Sequence, residues 1–138
     1  MPTIKAFVNM EITNKEILIN NNSLWIDVQS AFCGHYRFLK IEFTENQNGM
    51  KVSRSQRINN QLCVKHLTNV NNPCTINISN DRMVSEVTLD FKNKLGLNVE
   101  LFRKSGNVWN VISITSNWTL ENQNAAGEFI CSQMLDFS

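Results

Sequence analysis

At 138 residues and 15.8 kDa the chain holds material for one core and not two, so a single domain over residues 1–138 is expected. Thirteen Lys and Arg against 12 Asp and Glu leave a net charge of +1, which excludes a polybasic nucleic-acid binder and an acidic-tail protein. Charged residues are only 18% of the chain, against roughly 25% in an average domain, and 21 asparagines take up the polar share.

The N-terminus, Met1-Pro2-Thr3-Ile4-Lys5, shows no apolar h-region and no cleavage site. No apolar run approaches the roughly 20 residues of a membrane span. The expected location is cytoplasmic, or outside after release by a non-classical route, with action at membrane surfaces.

Period-two alternation runs along the chain and predicts strands. Ile4, Ala6, Val8, Met10 and Ile12 form the first candidate. Ile17 and Ile19 form the next, and after the turn-like Asn20-Asn21-Asn22-Ser23 come Leu24, Ile26 and Val28. Leu39, Ile41 and Phe43 alternate with Lys40, Glu42 and Thr44. The stretch 51–67 has mixed periodicity and reads as a loop plus a strand. Met83, Ser85, Val87, Leu89 and Phe91 alternate again, as do Leu97, Val99 and Leu101. Residues 108–114, 118–120 and 128–135 supply the last candidates. Nine or ten short strands with closely spaced turn signals predict an all-β fold, a single-domain antiparallel β-sandwich. Asparagine, serine and threonine suit its turns and wet faces, because their side chains compete for backbone hydrogen bonds inside helices. No linker and no internal repeat stand out.

Residue types that carry chemistry are present without the spacing that would make a site. Cys33, Cys63, Cys74 and Cys131 contain no C-x-x-C pair, and with only His35 and His66 beside them no metal site is expected. Without a secretory signal, free thiols among apolar neighbours are expected rather than disulfides. Cys33 lies two residues before His35, but no third residue is placed to orient the pair, so no catalytic residue is assigned. The weaker enzyme reading rests on Cys33, His35 or His66. Glu42 with Glu45, and Glu121 with Glu128, read as solvated carboxylates rather than a glycosidase pair. Five glycines in no phosphate-cradle spacing argue against a nucleotide cofactor, and no cofactor is expected. Lys51, Arg54, Arg57 and Lys65 lack interleaved aromatics, so no nucleic-acid partner is expected.

The aromatics point to ligand contact. Trp25 follows Leu24, Trp109 follows Val108, and Trp118 follows the polar Ser116-Asn117, so each has reason to face outward. Indole and phenol rings pair an apolar body with a polar tip, which suits bilayer interfaces, glycans and protein hot spots. Trp25, Tyr36, Trp109 and Trp118 are therefore the expected lipid- or ligand-binding residues.

Two ends of the chain resemble the aegerolysin family, small β-sandwich proteins of this length. Ala6-Phe7-Val8-Asn9-Met10-Glu11-Ile12 is similar to its opening strand, with Phe7 in place of a tryptophan. Ile19-Asn20-Asn21-Asn22-Ser23-Leu24-Trp25 is similar to the motif that follows. Trp109-Asn110-Val111, Trp118-Thr119-Leu120-Glu121 and Ala125-Ala126-Gly127-Glu128-Phe129-Ile130 follow the order of its C-terminal motifs. The segment 101–106 departs from the family pattern. The resemblance implies a non-enzymatic, toxin-like protein that docks on sphingolipid-containing membranes, with a larger pore-forming protein as partner in cytolysis. The alternative is a lectin-like carbohydrate-binding or a protein-binding module that uses the same aromatics.

Overall fold

Apolar residues three, four and seven apart bury one stripe of a helix, whereas residues two apart bury one face of a strand. The chain uses both periods. In a computed structural model, which describes residues 15–46, 63–66, 68 and 72–135, five strands alternate with three α-helices. They are β1 (Glu16–Ile19), α1 (Trp25–His35), β2 (Leu39–Asn46), β3 (Cys74–Asn77), α2 (Val84–Leu95), β4 (Leu97–Ser105), β5 (Val108–Val111) and α3 (Leu120–Leu135). A 3-10 turn spans Val64–His66. β1 pairs antiparallel with β3, and a separate antiparallel sheet has the order β2-β4-β5.

This corrects the all-β sandwich. The segment from Leu24 to Val28 enters α1, where Trp25, Val28 and Phe32 make the buried stripe. The apparent strand at 83–91 is α2. Its buried residues are Val84, Val87, Phe91 and Leu95, whereas Met83 and Leu89, two of the supposed inward set, are exposed. Residues 120–135 form α3 in place of the two last strands. The expected strand at 4–12 and most of the stretch 51–67 lie outside the described residues. β1, β2 and β4 fall where alternation predicts them.

Local chemistry explains the helices. Glu86, at the third position of α2, accepts the Met83 N–H through Oε1 at 2.9 Å, which satisfies a backbone donor that helix start leaves open. Gly96 ends α2 in the left-handed region (φ 66°), its N–H returning to the Lys92 carbonyl at 2.9 Å. Lys92 and Lys94 in the last turn favour the negative end of the helix dipole.

The elements form two copies of one unit, an internal repeat that the sequence reading missed. Adding 59 to the numbers of the first unit turns Ile17 and Ile19 into Ile76 and Ile78, and Leu24, Val28 and Phe32 into Met83, Val87 and Phe91. The backbone repeats the match. Ser23 N–H bonds Asn20 O, as Arg82 N–H bonds Ser79 O. Leu24 bridges Cys63 as Met83 bridges Thr119. Val64 and Lys65 donate to Ser23 and Asn21, as Leu120 and Glu121 donate to Arg82 and Asn80. The β1–β3 register is its own mirror about the Ile17–Ile76 pair, and β2–β4 is centred on Glu42–Glu100, so a pseudo-twofold axis relates the halves.

The core lies between the sheets and the helices. Trp25 stacks edge-on against Phe43 of its own half and Phe91 of the other, with centroids 6.2 Å away in both cases. Ile17, Ile19, Ile41, Ile76, Val87, Leu97 and Leu101 fill the space around them. Among the described residues, no helix is long and apolar enough to cross a membrane.

Candidate functional site

The second half extends into a feature built by the β4–β5 hairpin and α3. Ser105 faces Val108 across a two-residue loop of Gly106 and Asn107. Gly106 has φ 65°, the left-handed conformation such short hairpin loops need, and a Cβ there would lie 2.5 Å from Met134 Sδ of α3. The pleat then sorts the side chains. Lys104 opposes Trp109, and Phe102 opposes both Lys40 of β2 and Val111 of β5. One sheet face therefore carries an aromatic patch between two lysines. Lys40 Nζ is 5.1 Å and Lys104 Nζ 5.8 Å from the Trp109 ring centroid, and Lys40 Nζ is 5.3 Å from that of Phe102. All three are cation–π distances. Lys40 also pairs with Glu42 at 3.3 Å.

On the opposite face Arg103 pairs across the sheet with Asn110. Its Nη1 donates to Gln123 Oε1 at 3.0 Å. Gln123 lies on α3, is fully buried, and donates through Nε2 to the Thr115 carbonyl and to Thr115 Oγ1, both at 2.8 Å. Every polar atom of a buried amide needs such partners. Here they tie β4, α3 and the turn after β5 together. A cleft of about 310 Å³ opens at this end of β5, lined by Arg103, Asn110, Ser113, Ile114 and Thr115 among others. Its exposed lining is mixed: Ile114 is 95% exposed and Val111 half exposed, beside the exposed polar Asn110 and Ser113.

The expected ligand residues divide into two groups. Trp25 and Tyr36 are core residues, 6% and 2% exposed, and offer no surface to a ligand in this fold. The Tyr36 hydroxyl donates to the Ile78 carbonyl at 2.5 Å and lies 2.9 Å from Asn80 Oδ1, which also takes Lys15 Nζ at 2.9 Å. Burial pushes the phenol pKa up, and Glu121 and Asp81 add to the shift. Trp109 is half-buried on the sheet face, and Trp118 is exposed in the turn before α3, its backbone N–H bonded to the Thr115 carbonyl. The sequence reading missed Lys40, Lys104, Arg103, Gln123 and Ile114. The Lys104–Trp109 pairing follows from the Ser-Gly-Asn turn signal and strand alternation, whereas nothing local marks Gln123 as Arg103's partner.

The thiols and imidazoles do not assemble. All four cysteines are free and partly buried. Cys33 shares no hydrogen bond with His35 or His66 among the described residues. His66 Nδ1 accepts the Cys63 N–H at 3.1 Å, closing the 3-10 turn as Glu86 closes α2. The His35 pKa is lowered, by burial first and by Lys15 second. Burial raises the Cys74 thiol pKa against a smaller opposing effect of Lys94. Among the described residues, no three His, Cys, Asp or Glu side chains are grouped to hold a metal ion.

In comparisons with known proteins the chain matches no family model, no curated protein and no solved structure.

Proposed function

We propose that this protein is a non-enzymatic docking module for anionic phospholipid surfaces, and that it engages them through β5 and the turn that follows. The observation that carries this reading is the half-buried Trp109 within 6 Å of two lysine ammonium groups, continuous along the chain with Val111, Ile114 and Trp118. An indole between cations matches an interface whose outer layer is anionic and whose inner layer is apolar. A lysine near such a surface contributes about 1 kcal/mol, and burying an isoleucine such as Ile114 contributes about 1.5–3 kcal/mol. Two signals of that size give reversible, salt-sensitive association.

Vesicle sedimentation tests the reading. Vesicles of phosphatidylcholine with phosphatidylserine bind the protein, pure phosphatidylcholine binds it less, and raised salt releases it. Phosphatidylcholine with sphingomyelin, run alongside, tests the sphingolipid preference. Trp109→Ala and Ile114→Ser each weaken sedimentation at least threefold. Failure of the unmodified protein to sediment with any of the three compositions would falsify the proposal. Glycan-array binding in the absence of vesicle binding would assign the patch to carbohydrate instead.

A further inference from the structure

Arg103 differs from Arg82, which is held in an ion pair. Arg82 has its counter-charge, Asp90 Oδ2, 2.8 Å from Nη2. Arg103 has no carboxylate partner among the described residues; its one hydrogen bond goes to the neutral carbonyl oxygen of Gln123. A guanidinium carries five N–H donors, so most of them remain available. The residue that fixes it is costly. Gln123 is fully buried, and a buried amide is tolerated only when its polar atoms are bonded.

We infer that the cleft at the end of β5 is an oxyanion site, and that it holds the phosphate of a phospholipid headgroup. The inference rests on the docking reading above and names the group recognised. Arg103 supplies the planar donor pair that suits phosphate. Thr115 Oγ1 already accepts from Gln123 Nε2, which leaves its own hydrogen free to donate. Ser113, also on the cleft wall, supplies a second hydroxyl. Gln123 ties Arg103 and Thr115 to the same amide, so the two donors are positioned before a ligand arrives. Free phosphate satisfies the same donors. The lipid is the assigned source because two of the cleft's lining residues, Ile114, 95% exposed, and Val111, half exposed, offer apolar surface to acyl chains.

The experiment has two arms on the full chain. In the first, inorganic phosphate is titrated against 15N-labelled protein. Wild type shows saturable shifts of the Ser113 and Thr115 amides, whereas Arg103→Gln shows none and Gln123→Leu, which keeps the charge but frees it, shows at least fivefold weaker binding. In the second arm, sedimentation with phosphatidylserine vesicles falls at least tenfold for Arg103→Gln and less for Arg103→Lys, against a charge-matched control, Lys92→Gln, on the exposed side of α2. Thermal melts confirm that the variants are folded, and Arg103→Lys retains the aliphatic stem that packs near Gly127. Vesicle binding by Arg103→Gln equal to the control overturns the site and leaves the docking reading standing. Phosphate shifts in wild type without vesicle binding overturn the lipid source and the docking reading together. Absence of phosphate shifts in wild type overturns the oxyanion site.

Discussion

Tyr36 shows how a side chain suited to recognition is consumed by folding. Its ring packs on Phe32 at 5.7 Å between centroids, and its hydroxyl donates to the buried Ile78 carbonyl just past β3. Tyr36→Phe removes that bond while keeping the ring, and a loss of about 1–2 kcal/mol in urea unfolding is expected for a buried acceptor left open. The pH dependence has a defined sign. The folded pKa is raised above the ordinary phenol value of about 10. Above that pH the unfolded state gives up its proton first, so stability holds below about pH 10 and falls as pH rises further. Denaturation midpoints between pH 9 and pH 11, compared with those of Tyr36→Phe, check this: the variant loses part of the decline. Trp25 is deeper still, and Trp25→Ala is expected to cost about 3–5 kcal/mol. Gly127 is needed for close approach. A Cβ there would lie 2.8 Å from Phe38 Cβ and 3.2 Å from Arg103 Cγ. Gly127→Ala is expected to lower stability by about 1–3 kcal/mol in spite of its better helix propensity, read as a lower thermal midpoint.

Helices and strands were not equally legible. Short apolar runs with β-branched residues read as strands when only every second position is examined. In 83–91 that count selects Met83 and Leu89, which the fold exposes, and passes over Val84, which it buries. The period that governs is Val84, Val87, Phe91, Leu95, the same spacing as Trp25, Val28, Phe32, Tyr36. The start signal was also present, since Glu86 three residues after Met83 is half of a capping box, but a methionine in the capping place conceals it. Glu86→Ala should destabilise the protein by about 0.5–2 kcal/mol, the usual range for a lost cap, measured as a loss of helical circular dichroism at a lower temperature. The strands β2 and β4 were legible because each buries one face only, so alternation is clean. The lysine-flanked indole needed register as well as pattern. The Arg103–Gln123 contact joins residues 20 apart in sequence through tertiary packing, and no local rule reaches that far.

For the whole molecule the governing feature is the pairing of like halves. β1 meets β3 and β2 meets β4, both antiparallel, the second pair with a register shift between Phe43 and Glu45, and Trp25 reaches across to Phe91. Neither half closes its sheets alone. Among the described residues, the second half carries the β4–β5 hairpin, α3 and the buried Gln123 at one end. The two-helix, two-sheet centre is the scaffold, and the proposed docking surface sits at an edge of it, as loops and edges on rigid scaffolds commonly do.

Two separate chains related in this way would come apart on dilution, since each would have to find the other in solution. Here the partner is tethered, so its effective concentration is fixed by the connecting stretch and not by expression level. Unfolding midpoints should accordingly stay constant across a hundredfold change in protein concentration. Tethering also frees one half from mirroring the other: a substitution in a symmetric homodimer appears twice, whereas in this chain an arginine such as Arg103 can stand at one edge without its twin appearing across the axis.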